Sequence, residues 1–175
     1  MQRFIDQIKP IQEDFMRSTF HEPATESDIA EFEREHGISI PQSYKDFLVL
    51  SDGGELFGAV GNVWLYGVKA TNFKIGYDFS EGMVPKDFLI LGFHDSQHIC
   101  FMPERNKFLF YEYEAPDEID YECLWFDSFY DVMEYLIDVH PYLVRYPTYE
   151  NRRMQQASVV LIWKNPSTSL VAPCI

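Results

Sequence analysis

The amino-acid sequence predicts an α+β fold: one domain in which three to four helices pack on a mostly antiparallel sheet of about five to six strands. Apolar residues recur at helical spacing before residue 50 and again over residues 128–140. Residues 60–126 instead contain short apolar runs separated by turns. The links between these runs are short, which favours antiparallel pairing over crossover connections. The length of 175 residues fits one domain.

Residues 1–20 are predicted to form one broken or late-starting helix. Phe4, Ile8, Ile11 and Phe15 follow the three- and four-residue spacing of a helical face. Pro10 lies within this pattern, and a proline inside a helix removes a backbone hydrogen bond. The interruption is therefore expected near residue 10.

Two further helices are predicted between residues 25 and 51. Thr25 with Asp28 three residues later has the arrangement of a capping box, and Gly37 supplies a left-handed stop. Pro41 suits the first position of the next helix, because its missing N–H would have no partner there. The Asp52-Gly53-Gly54 turn follows, since glycine tolerates positive φ. The apolar face of the second helix consists of Tyr44, Phe47 and Leu48.

The predicted strands precede one last helix. The runs at residues 98–102 and 108–113 are close enough in sequence to form a hairpin. Residues 128–140 form an apolar stripe at helical spacing, which Ser128 and Asp131 can cap and Pro141 ends. The candidate strands are residues 63–68, 88–93, 98–102, 108–113 and 123–126.

Charge divides the chain into an acidic body and a basic tail. The whole chain has 28 acidic and 14 basic residues, a net charge of −14, yet residues 141–175 hold four basic residues and one acidic residue. We predict a domain over residues 1–145 and an extension over residues 146–175 that docks on it or completes it. The apolar residues 159–163 are typical of a buried strand or a docking segment, with an added edge strand of the same domain as the alternative, and they can equally pair with a second copy. A monomer and a homodimer both remain open.

Composition excludes several classes of protein. The negative charge repels phosphate, which argues against direct binding of nucleic acid or of an anionic membrane. No apolar run approaches the ~18 residues of a membrane span, and Asp6 lies where a signal peptide would be apolar. Cys100, Cys123 and Cys174 are odd in number and widely spaced, which argues against a disulfide framework. We therefore predict a reduced, cytoplasmic protein, with Cys100 as a small buried apolar residue.

Three consecutive pieces of the sequence form a recognisable series. They are Ala24-Thr25-Glu26-Ser27-Asp28-Ile29-Ala30-Glu31-Phe32-Glu33, then Gly37-Ile38-Ser39-Ile40-Pro41 with Tyr44-Lys45-Asp46-Phe47-Leu48, and finally Asp52-Gly53-Gly54. This series resembles the opening of the SUKH superfamily, which includes the fungal cell-wall-synthesis regulator domain and many bacterial immunity proteins. The family pattern has Leu at the position of Ile40 and Asn at that of Asp52. The likeness extends over about residues 20–140.

The resemblance implies helices against a mostly antiparallel sheet, and a binding role without catalysis or cofactor. Bacterial members resemble immunity proteins that neutralise polymorphic toxins, often nucleases, whereas fungal members are regulators. Fold likeness alone does not choose between the two. From the residues themselves we expect the motif to be structural, because none of its members supplies a nucleophile, general base or metal ligand. These fold-motif residues are Gly37, Pro41, Tyr44, Phe47, Leu48, Gly53 and Gly54.

The best candidate for a partner surface is the segment 111–122, which has six acidic residues, no basic residue and three tyrosines. A toxin surface shaped for phosphate is basic and would be attracted to it, while aromatic anchors would carry more of the affinity. The 52–57 turn is a neighbouring candidate contact. The alternative is a solvated acidic loop between strands. The predicted partner-binding residues are Glu112, Tyr113, Glu114, Asp117, Glu118, Asp120, Tyr121, Glu122 and Trp125.

No catalytic residue, metal ligand or cofactor site is predicted. His94 and His98 have i, i+4 spacing, but they lie in a predicted strand–turn–strand, where they need not converge. The carboxylates of helix 26–36 lie mostly off its apolar face and are expected to be solvated surface. Two alternatives to an immunity protein stay open. One is a regulatory protein-interaction domain, and the other is a metal-dependent hydrolase that uses His94 and His98.

Overall fold

The computed structural model describes residues 1–10, 17–69, 75, 85, 87–112 and 124–139, with residues 59 and 60 described by their backbone alone. This part of the chain confirms the α+β prediction, with slightly more strands than expected. Its helices are α1 (Gln2–Ile8), α2 (Glu26–His36), α3 (Gln42–Leu48), the single turn α4 (Gly58–Gly61) and α5 (Phe129–Val139). Its strands are β1 (Thr19–Phe20), β2 (Gly54–Leu56), β3 (Val63–Leu65), β4 (Leu89–His94), β5 (Gln97–Met102), β6 (Lys107–Tyr111) and β7 (Trp125–Phe126).

The sheet is a meander in which each strand pairs antiparallel with the next, from β1 to β7. The hairpin predicted from residues 98–102 and 108–113 is confirmed as β5 and β6. Strands β1 and β2 were not predicted, since two and three residues are too few to show an alternating pattern. Strand β3 ends at Leu65 rather than at residue 68, because Val68 bonds to a side chain of another turn.

The signals predicted for α2 act where the sequence places them, whereas Pro41 is the N-cap of α3 rather than its first helical residue, because its backbone is extended at ψ 142°. Thr25 and Asp28 exchange side-chain and backbone hydrogen bonds of 2.8 and 3.1 Å, and Gly37 ends α2 at φ 65°. Helix α1 begins at Gln2, so the late-starting alternative is wrong, and its end before Pro10 follows from the proline. The boundary between the predicted domain 1–145 and extension 146–175 lies outside the described residues.

Apolar side chains cover both faces of the sheet at strands β4, β5 and β6. Neighbouring residues of a strand point to opposite faces, so Ile99 and Phe101 join the helix-side core while Cys100 and Met102 join a second cluster. Cys100 is buried, as predicted. The second cluster consists of Phe88, Ile90, Cys100, Met102, Leu109 and Tyr111, with Tyr66 and Trp125 packed against it.

Candidate functional site

The tyrosine of the sequence motif is a structural residue. Tyr44 is fully buried, and its hydroxyl lies 2.6 Å from the carbonyl oxygen of Tyr66 and 2.8 Å from that of Leu91. Its ring meets Phe129 of α5 edge-on, with centroids 4.6 Å apart. Burial raises the pKa of Tyr44 well above its usual range, so the hydroxyl stays protonated as a donor. Tyr44 thus joins α3 to the sheet and to α5.

The Asp52-Gly53-Gly54 turn is also internal. The buried Asp52 carboxylate accepts the backbone N–H of Val68 at 2.7 Å and that of Lys69 at 2.9 Å. Gly53 has φ 86°, which favours glycine. Between residues 52 and 57 only Glu55 is not buried, so the predicted neighbouring contact is reduced to that one side chain.

Two residues of the predicted partner surface are described, and they lie at one edge of the sheet. Glu112 is exposed directly after β6. Trp125 is half-buried on β7, pairs with Leu109 and packs against the second cluster, with the Arg105 guanidinium 5.1 Å from its ring centroid. Trp125 is therefore partly a core residue. The other predicted residues lie outside the described residues: Tyr113, Glu114, Asp117, Glu118, Asp120, Tyr121 and Glu122.

The histidines do not form a common site. Phe93 pairs with His98, and His94 pairs with Gln97. Because paired residues share a face and neighbours alternate, His94 and His98 point to opposite faces of the β4–β5 hairpin. Burial lowers the pKa of His94, against a weaker opposing effect of Asp95. Over the described ranges, no three His, Cys, Asp or Glu side chains are grouped as a metal site requires.

A groove of ≈ 390 Å³ separates α2 from α3, and sequence reasoning missed it. We refer to it as the α2–α3 groove. Each helix contributes four described residues at positions i, i+3, i+4 and i+7, which lie along one side of a helix. This double spacing is the signal that the sequence offered, but it does not show which helices are neighbours. The lining residues are Glu26, Ile29, Ala30 and Glu33 from α2, and Gln42, Lys45, Asp46 and Val49 from α3 and its C-terminal cap.

Glu33 corrects the expectation that the α2 carboxylates are all solvated. Its side chain is only 19% exposed, and its carboxylate accepts the Ile40 N–H at 2.6 Å and the Lys45 ammonium at 2.8 Å. This carboxylate closes the loop between α2 and α3 and neutralises Lys45. The remaining carboxylates of α2 are exposed or half-buried, which agrees with the expectation.

Asp46 keeps its negative charge on the opposite wall of the groove. The Tyr130 hydroxyl donates to its carboxylate at 2.5 Å, and the Gln42 amide donates at 2.9 Å. Both hydrogen bonds lower the pKa of Asp46. The bond between Asp46 and the Tyr130 hydroxyl also raises the pKa of Tyr130. The described lining thus holds three carboxylates against one ammonium group.

Comparison with known proteins gives a family and one relative. The profile described as SMI1 / KNR4 family (SUKH-1) matches residues 23–134, which include the whole fold motif and the α2–α3 groove. The uncharacterized protein YnaB of Bacillus subtilis (strain 168) is 30% identical over 79 residues, or 44% of this chain and 50% of YnaB. The chain therefore spans about half the length of this curated relative. In the part of the chain that the structure describes, no helix is long and apolar enough to cross a membrane.

Proposed function

We propose, from the fact that the chain belongs to the SMI1 / KNR4 family (SUKH-1), that it is an immunity protein. It binds a cognate polymorphic toxin in the cytoplasm, a nuclease or another toxin that acts inside the cell. It blocks the active cleft of that toxin with an acidic surface. The block is steric and electrostatic, so the immunity protein needs neither a catalytic residue nor a cofactor of its own.

The internal role of the fold motif is the observation that carries this proposal. The Tyr44 hydroxyl and the Asp52 carboxylate are buried and bonded to the backbone of the chain itself. Because these motif groups are buried, a partner would contact the surface around them. The chain as a whole has a net charge of −14. A surface of that sign suits a basic partner.

Charge complementarity gives the proposal its mechanism. A cleft that binds phosphate is basic, so an acidic surface attracts it and raises the association rate. Desolvated aromatic side chains then contribute more of the affinity. Glu112 and Trp125 lie at the sheet edge where this contact is proposed, and in the sequence they flank the acidic segment 113–122.

A second candidate is a regulatory protein-interaction domain without a toxin partner. The family match at residues 23–134 supports this candidate as well, because the SUKH resemblance implies regulators as well as immunity proteins. The same scaffold and acidic surface would then bind a different basic protein.

Co-expression with the product of the adjacent gene tests the proposal. The neighbour alone should stop growth, and this chain should restore growth and co-purify with the neighbour. A neighbour that is not toxic, or one that is toxic and neither rescued nor bound, would contradict the immunity function and favour the regulatory candidate.

A charge-reversal variant then tests the electrostatic mechanism. Changing Glu114, Asp117, Glu118 and Asp120 to Lys should slow association and weaken protection while the melting temperature stays near that of the wild type. Affinity equal to that of the wild type would contradict the electrostatic account.

A further inference from the structure

We propose that the α2–α3 groove binds a basic segment of the partner protein, in which Lys or Arg side chains flank a central apolar side chain. This inference rests on the proposed function and names a contact surface in addition to the sheet edge at Glu112 and Trp125. The size, the buried floor and the charge of the groove support it.

The size of the groove suits a short segment. Its volume of ≈ 390 Å³ is near the lower end of the range of about 300–1,000 Å³ that is usual for pockets. The lining residues of each helix extend from position i to i+7, which is about 10 Å at the helical rise per residue. A few side chains of a partner fill such a space, whereas a whole domain face would need a flat surface.

The α2 wall of the groove is apolar at its middle, whereas the middle of the α3 wall holds Lys45 and Asp46. Ile29 forms its buried floor, and Ala30 is exposed and small enough to leave the centre open. Val49 lies on the opposite wall with 39% of its surface exposed. Covering apolar surface of this kind is favourable by roughly 25 cal/mol per Å². The central residue of the bound segment is therefore expected to be apolar.

The charge of the lining selects a cationic occupant. Lys45 is the basic residue among the described lining residues, and Glu33 neutralises it at 2.8 Å. Glu26 and Asp46 add two negative charges on opposite walls, and hydrogen bonds keep Asp46 ionised. Phosphate or an acidic peptide would be repelled, whereas Lys or Arg beside the apolar centre would be attracted.

A partner protein is a better occupant of the groove than a second copy of this chain or the chain's own C-terminal residues. A second copy would bring its own acidic domain towards an acidic groove. The segment 141–175 has a net positive charge, which is compatible with the groove. The family match at residues 23–134 nevertheless includes both walls of the groove and ends before this segment. The groove thus belongs to the family domain itself, and the proposed function supplies a basic partner for it.

Two arginine substitutions on the same helix test the inference. Ala30→Arg fills the centre of the groove and repels a basic segment. Glu35→Arg is the control, because Glu35 is exposed and does not line the groove. The control changes the net charge by two and Ala30→Arg by one, so a purely long-range effect of charge would be larger in the control.

The measurement is the affinity of the full chain for the adjacent gene product. We expect Ala30→Arg to raise Kd by about tenfold or more and Glu35→Arg by less than about threefold. Val49→Arg should act like Ala30→Arg from the opposite wall, and it serves if Ala30→Arg fails to fold.

Each remaining outcome overturns the inference in a distinguishable way. If the wild type binds and both groove variants keep its affinity, the groove proposal fails and the immunity function stands. If the wild type does not bind, both fail. In the free protein, amide NMR signals of Ala30 and Val49 that shift on concentration would identify a second copy as the occupant. Signals that shift on changing Arg152 and Arg153 to Glu would identify the chain's own tail. Either result would overturn the proposal.

Discussion

The α2–α3 region (residues 23–69) and the three-stranded unit β4–β6 (residues 89–111) hold their shapes in different ways. In the first, polar side chains bond to backbone groups that are distant in sequence, as Tyr44 does to Leu91 and Asp52 to Val68. In the second, apolar side chains pack on both faces of an antiparallel ladder that has one register shift, between Ile90 and Gly92.

The difference teaches where each region is vulnerable. A buried polar bond depends on single atoms, because removing one partner leaves the other unsatisfied. The stability of an apolar ladder depends instead on how completely its side chains fill the core. Each contact is weak, so a small change costs little, whereas removing a whole side chain removes many contacts at once. Atom-sized substitutions should therefore damage the α2–α3 region most, whereas volume losses should damage both regions.

The largest expected effect is a volume loss in the shared core. Phe47 is fully buried between α3 and α5, so Phe47→Ala should lower the free energy of unfolding by about 3–5 kcal/mol. Urea unfolding measures it, with Val139→Ala, at a position 42% exposed, as the control. The control should change stability by less than about 1 kcal/mol. A similarly small change for Phe47→Ala would contradict its place in the core.

An intermediate effect sharpens the comparison at the level of single atoms. Asp52→Ala leaves the buried N–H of Val68 and the partly buried N–H of Lys69 without their acceptor, and should cost about 2–3 kcal/mol. Asp52→Asn keeps one acceptor oxygen and should cost less than Asp52→Ala. Equal effects of the two variants, again from urea unfolding, would show that the hydrogen bonds of Asp52 are not what stabilises this turn.

The smallest effect depends on pH. Hydrogen bonds from Tyr130 and Gln42 hold the pKa of Asp46 below its ordinary value of 3.8. A depressed carboxylate pKa contributes stability that is present above the unfolded pKa and lost as pH falls through the folded pKa. Tyr130→Phe should therefore be less stable than the wild type at pH 7, by less than about 1 kcal/mol because Asp46 is only half-buried.

Thermal unfolding of Tyr130→Phe and of the wild type at neutral pH and near pH 3 checks this expectation. The gap between the two proteins should narrow in acid, because protonation of Asp46 weakens the bond in the wild type. A gap that is constant with pH would mean that the tyrosine hydroxyl acts independently of the Asp46 charge.

Local signals made much of this fold predictable. The Thr25 cap and the Gly37 stop each involve residues close in sequence, so the limits of α2 follow from the sequence. The β5–β6 hairpin follows from two adjacent apolar runs. The family motif identified the architecture because its Gly, Pro and Tyr residues have strict structural roles.

Several features that sequence reasoning missed depend on residues distant in sequence. Strand β1 is short, and it pairs with β2 across more than 30 positions. The partners of Asp52 are at positions 68 and 69, which a local turn pattern does not show. The α2–α3 groove likewise requires knowing which faces of two helices lie opposite each other. The binding residues in segment 113–122 stay a prediction.

The most direct test of the account separates scaffold from surface in one pair of measurements. Kd for the partner and the melting temperature would be measured for Tyr44→Phe and for the variant with Lys at 114, 117, 118 and 120. The account predicts that Tyr44→Phe lowers the melting temperature and keeps Kd within about threefold. The charge-reversal variant should keep the melting temperature and raise Kd by about tenfold or more. The opposite pattern, in which Tyr44→Phe weakens binding and charge reversal does not, would contradict the account.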